Sequence, residues 1–208
     1  MSKSQKFNIG LCLAILAAST SITVCPSFAD DDLTIGGRIS DHAKEPVAGA
    51  QVRLLDQDGS VIKSTNCFSD GSFSISHKAC GKCSLEIVPD EKTGLATALI
   101  ENVAGDKNRD FVVELHQGFQ VAGRVSADGK GLRGLTVKVT AVESENQHVH
   151  GGGYAKTSKD GRFHMTLTPG VKQLIVLNQR YPDMAADQSI QFTVTADVEL
   201  PDIVLKPR

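Results

Sequence analysis

The chain has no tryptophan, and its aromatic share is 5%, eight Phe and two Tyr. A protein that works by stacking bases or sugars on aromatic platforms normally carries more rings than this. Charge of one sign is also missing: 22 Lys and Arg stand against 24 Asp and Glu, a formal net charge of −2. No basic field therefore exists to hold a polyanion, and nucleic acid is excluded as a partner. Proline is scarce (7) and glycine, at 19 of 208, is moderate, which excludes collagen-like and low-complexity chains. Beyond the first thirty residues no apolar run reaches the length of a membrane-spanning helix. A large aromatic pocket, a nucleic-acid surface and a disordered tail are thus set aside. What is present is a 40% apolar, 22% charged chain of ordinary globular balance.

The first residues read as an address. Lys3 and Lys6 precede an apolar run from Phe7 to Ala18 that continues through Ile22 and Val24, and no acidic residue appears before Asp30. A basic start, a short apolar stretch and Ser27-Phe28-Ala29 before a polar sequence predict a secretory signal over 1–29, cleaved between Ala29 and Asp30. Cys25 raises the alternative of a lipidated N-terminus. That processing resembles a pattern with Gly, Ala or Ser before the Cys, and Val24 stands there instead. Removing 1–29 takes away two lysines and no acid, so the mature net charge moves from −2 to −4. The expected location is secreted or periplasmic, with no membrane span in the mature chain.

The remainder repeats itself. Leu33-Thr34-Ile35-Gly36-Gly37-Arg38-Ile39-Ser40 aligns with Phe119-Gln120-Val121-Ala122-Gly123-Arg124-Val125-Ser126. Gly49 before Ala50-Gln51-Val52 aligns with Gly134 before Leu135-Thr136-Val137, and Asp70-Gly71-Ser72-Phe73 with Asp160-Gly161-Arg162-Phe163. The offsets stay between 85 and 90, which marks two copies of one domain, 30–116 and 117–208. Each copy alternates apolar and polar residues with period two, as in Val52/Leu54 against Gln51/Arg53 and Val137/Val139 against Thr136/Lys138. A sheet with one buried face demands this pattern. Asp58-Gly59, Asp70-Gly71, Asp128-Gly129 and Asp160-Gly161 are predicted hairpin turns. Further strands are expected at 85–88, 111–115, 174–177 and 198–205, and Ala96 to Asn102 is the one place for a short helical turn. The fold class is all-β: two tandem seven-stranded β-sandwiches following a signal peptide.

The string Val121-Ala122-Gly123-Arg124-Val125, then Gly134 before Leu135-Thr136-Val137, then Thr157-Ser158-Lys159-Asp160-Gly161-Arg162-Phe163, then Pro169-Gly170 before Leu174-Ile175-Val176, resembles the carboxypeptidase regulatory-like domain. That family is similar to transthyretin and to the B-type repeats of collagen adhesins. The resemblance covers 119–206 and, less completely, 33–115, where Cys80-Gly81 replaces Pro169-Gly170. It implies an immunoglobulin-like, prealbumin-type sandwich and a non-catalytic module, in a class sometimes described as carbohydrate-binding-like. No peptidase domain accompanies it, and no His-Glu-x-x-His zinc motif occurs.

Residues able to carry chemistry are few. Cys67, Cys80 and Cys83 are the only cysteines after the signal. Cys80-Gly81-Lys82-Cys83 reads as a redox dithiol, half a metal site or a local disulfide. A thioredoxin-type motif needs a strand-to-helix context, whereas this one falls on a β-turn. In an oxidising compartment the preferred reading is a structural Cys80–Cys83 disulfide clamping the turn that lacks proline, with Cys67–Cys83 as the alternative pairing. His148 and His150, at i and i+2 with His164 as a third candidate, are the metal-ligating possibility. They precede Gly151-Gly152-Gly153, which reads as an exposed loop, so no metal site and no cofactor is expected. Asp30-Asp31-Asp32 lacks the spacing of a calcium loop. No phosphate loop, nucleophile elbow or Ser/His/Asp arrangement is visible, so no catalytic residue is assigned and the protein is read as a non-enzyme. Contact surfaces are expected in the loops at 89–110, 143–153 and 178–189 and along edge strands. Tyr154 and Tyr181 are the ligand-contact candidates if the partner is a glycan. The expected partner is a protein or a glycan in the cell envelope or outside the cell.

Overall fold

The computed structural model describes residues 33–104, 106–142, 151–177, 180–181, 183–185 and 189–207. The signal sequence with its Ala29–Asp30 cleavage site, Cys25, His148 and His150 lie outside the described residues. Within them the molecule is almost wholly β.

The first copy holds β1 (Leu33–Asp41), β2 (Gln51–Leu55), β3 (Val61–Asn66), β4 (Ser72–His77), β5 (Lys82–Val88), a 3-10 turn at Glu91–Thr93, β6 (Ala98–Ala104) and β7 (Arg109–Leu115). They form two sheets, β4-β1-β7 and β3-β2-β5-β6, seven strands in all. The second copy holds β8 (Phe119–Ala127), β9 (Lys130–Gly131), β10 (Thr136–Ala141), β11 (Gly153–Lys156), β12 (Arg162–Leu167), β13 (Gly170–Leu177), β14 (Met184–Ala185), β15 (Ser189–Val194), β16 (Val198–Glu199), β17 (Ile203–Val204) and β18 (Lys206–Pro207). Its sheets are β12-β8-β16, to which β17 and β9 add along β8, and β11-β10-β13-β15. β14 and β18 pair separately.

A late strand returns parallel to an early one in both sets, β7 beside β1 and then β16 and β17 beside β8. Period-two patterning produces the cores: Ile35, Ile39, Val52 and Leu54 are fully buried in one, and Val121, Val125, Val137 and Val139 in the other. One core draws on residues 35–115 and the second on 121–205. Phe73 and Phe163, the post-turn aromatics, lie 3% and 2% exposed. Each sits opposite a glycine, Gly37 and Gly123, across the strand pair. A Cβ on Gly123 would come within 2.6 Å of the Phe163 ring, so the glycine is what lets the ring lie flat over its neighbour.

Two sequence expectations are revised. Ala96–Asn102 is no helical turn: most of it belongs to β6, which pairs antiparallel with β5. Leu99 and Ile100, adjacent in sequence, are both buried. A strand covered on both faces loses its alternation and becomes indistinguishable from a short buried helix. The interval 89–110, read as a loop, accordingly contains β6. Of the four Asp-Gly turns only two join hairpins. Asp128-Gly129 is a two-residue turn between β8 and β9 with φ of 48° and 75°, the double positive φ of a type I′ turn. Asp58-Gly59 lies in the longer β2–β3 hairpin. Asp70-Gly71 and Asp160-Gly161 instead carry the chain from one sheet to the other, from β3 to β4 and from β11 to β12.

Cys67 and Thr157 are equivalent positions. Cys67 N–H donates to Ala50 O at 2.9 Å, and Thr157 N–H to Leu135 O at 2.9 Å. The Thr157 hydroxyl accepts from Leu135 N–H (2.9 Å) and donates to Leu132 O (2.6 Å), stitching the turn before β10. Thr157→Val keeps the shape and removes both bonds, leaving a buried donor short of its partner. It is expected to cost about 1–3 kcal/mol in urea unfolding. An unchanged midpoint would show the hydroxyl to be dispensable.

Candidate functional site at the junction of the two sandwiches

The linker joining the copies is held by backbone bonds. Ala96 N–H donates to His116 O (2.8 Å), Gly118 N–H to Gly94 O (3.0 Å), and Thr97 N–H to Thr166 O on β12 (3.0 Å). Beyond it, the outer faces of the two four-stranded sheets meet. β5 is buried on both sides: Cys83, Leu85 and Ile87 face the first core, while Ser84 and Glu86 are buried on the opposite face.

Glu86 is fully buried. Its Oε1 accepts from Tyr154 N–H on β11 at 2.6 Å. Its Oε2 lies 3.0 Å from Arg53 Nη2, a charge contact from its cross-strand neighbour on β2 rather than an aligned hydrogen bond. Burial pushes the Glu86 carboxyl up to about 7, against the opposing pull of Arg53 and the Tyr154 N–H. One strand further, Lys138 on β10 reaches Glu101 Oε1 on β6 at 2.5 Å, and its ammonium sits 5.7 Å from the centre of the Tyr154 ring. A Cβ on Gly59 would lie 2.6 Å from that ring, so the β2–β3 turn packs directly on it. A Cβ on Gly153 would lie 2.7 Å from Glu86 Oε1, so the carboxylate reaches its donor only because β11 starts with glycine.

Beside this contact lies a cleft of about 540 Å³, bounded by Arg53, Val61, Glu86 and Glu91 from the first copy and by Tyr154, Arg162, His164 and Met165 from the second. His164 Nε2 stands 3.2 Å from Glu91 Oε1, both largely exposed. Tyr154 thus lines the cleft, with its ring set between the Gly59 turn and Lys138. Tyr181 lies elsewhere, packed against the second core with its hydroxyl 3.4 Å from Arg133 O. The junction does not bring Tyr154 and Tyr181 together.

The Cys80 and Cys83 sulfurs stand at bonding distance, 2.05 Å, with Cys80 in the turn between β4 and β5 and Cys83 on β5. Cys67 is a buried free thiol, pushed up to about 11 by burial. Among the described residues, no helix is long and apolar enough to cross a membrane.

Sequence reasoning missed Arg53, Glu86, Lys138 and Glu101. Arg53, Glu86 and Lys138 occupy the polar phase of alternating residues, a position that reads as solvated whenever the covering element is unknown, and Glu101 follows the continuous apolar run Ala98-Leu99-Ile100. The available signal was the pairing of opposite charges at cross-strand positions, Arg53 with Glu86, in two strands that both precede equivalents in the second copy.

No family model matches the sequence, and no curated protein matches it. Among solved structures, the shaft pilin SpaA from Lactobacillus rhamnosus GG is similar at 9% identity, covering 86% of this chain and 98% of that one, with a TM-score of 0.37. A streptococcal ancillary pilin matches at 16% identity over 85% of this chain and 62% of its own, TM-score 0.35. A DUF3823 family protein from Parabacteroides merdae matches at 16% identity over 43% of this chain and 46% of its own, TM-score 0.35.

Proposed function

We propose that this chain is an exported, non-catalytic scaffold of two prealbumin-type modules, divided near residue 116, that binds an extended segment of a protein partner in the cell envelope or outside the cell. The observation that carries the reading is the contrast between two equivalent edge strands. β11, at the edge of the second four-stranded sheet, is covered by the first module, with Gly153 buried and Tyr154 half-buried. β3, its counterpart, is exposed over five of its six residues, including Val61 at 49% and Ile62 at 43%. An uncovered edge presents unpaired backbone N–H and C=O groups, and natural proteins ordinarily blunt such edges with charge, proline or a covering segment. β3 carries one lysine, no proline and two exposed β-branched apolar side chains. This is the surface that strand addition uses, with main-chain bonds for affinity and alternate side chains for selectivity.

The locked junction supports the same reading, because a scaffold gains from modules that do not pivot. The test places a photo-crosslinking residue at Ser64 on β3 and at Lys130 on β9 in the exported full chain, with irradiation in intact envelopes. A discrete adduct from Ser64 that Ile62→Lys abolishes, with none from Lys130, is the expected result. Equal adducts from both positions, or none from Ser64, would overturn the edge assignment.

A further inference from the structure

The Cys80–Cys83 bond differs from an ordinary structural staple in where its two sulfurs sit. Cys83 is 2% exposed and belongs to the first core, whereas Cys80 is only partly buried at that core's margin. Gly81, which follows Cys80, is in the left-handed region at φ 56° with open space where a Cβ would project. An incoming group therefore meets the Cys80 sulfur and not the Cys83 sulfur. The bond closes a loop of sequence separation 3, too short for loop closure to give much stabilisation.

The surroundings provide for the reduced state. His77 is buried, and its Nδ1 lies 2.7 Å from the Lys78 carbonyl oxygen, which fixes the proton on that nitrogen. The same Nδ1 stands 3.9 Å from Cys80 Sγ. Cys83 Sγ lies 2.8 Å from the Cys80 carbonyl oxygen, so an acceptor for a Cys83 thiol is already in place.

We infer that Cys80–Cys83 is an exchangeable disulfide, a two-electron acceptor for external thiols, in which Cys80 is the sulfur attacked. In the first step an external thiolate bonds to Cys80 Sγ. The Cys80–Cys83 bond breaks, its electron pair leaves on Cys83, and the Cys83 thiolate takes a proton from water and hydrogen-bonds through it to the Cys80 carbonyl oxygen. In the second step another thiolate, from the same dithiol or a second thiol molecule, attacks the external sulfur and releases the Cys80 thiolate beside His77. The net change oxidises two thiols to a disulfide and reduces Cys80–Cys83 to two thiols. Cys67 takes no part, since its buried, protonated thiol is a poor nucleophile.

The test incubates the full mature chain, folded and oxidised, with reduced glutathione at pH 7.5, followed by acid quench, maleimide labelling and intact mass. Two labels, confined to Cys80 and Cys83, are expected while far-UV circular dichroism stays unchanged. In Cys83→Ser, Cys80 should form a glutathione adduct with oxidised glutathione; in Cys80→Ser, Cys83 should do so at least about tenfold more slowly. Release of the two thiols only in denaturant would overturn the proposal. So would equal adduct rates in the two serine variants, and the wild-type measurement decides the matter should a serine variant fail to fold.

Discussion

Arg53→Ala is expected to lower the stability of the folded chain by about 3–5 kcal/mol at pH 8, because it leaves a buried carboxylate without its counter-charge. Glu86 is fully buried, and only the Tyr154 N–H would remain to satisfy it. The effect should depend on pH. The Glu86 carboxyl rises from 4.5 to about 7 on folding. The folded chain therefore holds that proton more tightly than the unfolded chain between those values. The stability linked to it is fully present below pH 4.5 and is lost as pH rises through 7. At roughly 1.4 kcal/mol per unit of pKa, the loss is about 3 kcal/mol. At pH 5 the carboxyl of Arg53→Ala is protonated, and the cost should fall to about 1 kcal/mol, the scale of the lost packing of the arginine stem. Glu86→Gln should abolish the dependence, giving nearly equal urea midpoints at pH 5 and pH 8. If Arg53→Ala cost the same at both pH values, or if Glu86→Gln kept the wild-type dependence, the buried pair would not be what secures the junction.

That pair also marks the limit of what the sequence discloses. Within each copy the physics is local: Ile35, Gly37 and Ile39 alternate because one face of β1 is buried, and the same phase recurs 86 residues later in Val121, Gly123 and Val125. The all-β class, the two cores and the inward Phe73 and Phe163 follow from that alternation. Sheet membership is less legible, since Asp70-Gly71 looks like a hairpin turn although its flanking strands belong to different sheets. The junction is not legible at all from one copy. Leu55 and Leu99 are buried outside either core, and Glu86 is buried with them, only because the second module lies on top. A repeat predicts two similar sandwiches, whereas their mutual contact must break the similarity. Glu86 has Ile175 as its repeat-equivalent on β13, paired to Lys138 where Glu86 pairs to Arg53.

The turns that carry the chain between sheets should be the least tolerant positions in either module. Gly161 has φ of 81°, and a Cβ there would stand 2.2 Å from Val125 O and 2.8 Å from the Gly131 Cα. Val125 N–H donates to Gly161 O at 2.8 Å, so the turn cannot move away without giving up the bond that joins it to β8. Gly71 repeats the arrangement, with φ of 75°, a Cβ position 2.3 Å from Ile39 O, and Ile39 N–H donating to Gly71 O at 2.9 Å. Gly129 separates the two penalties. Its φ is also 75°, but nothing lies within 4 Å of its Cβ position. Gly129→Ala should therefore cost only the left-handed conformation, about 1–2 kcal/mol. Gly161→Ala carries that cost and must in addition displace backbone atoms rather than a flexible side chain, which adds about 1–3 kcal/mol. A total of roughly 2–5 kcal/mol, of which about 1–3 kcal/mol is read as the difference in urea midpoint from Gly129→Ala at equal slope, is the expected result, and Gly71→Ala should match it in the first module. Equal costs at Gly129 and Gly161 would mean that the carbonyl of Val125 yields freely, and that the bond from β8 to this turn does not hold the two sheets in register.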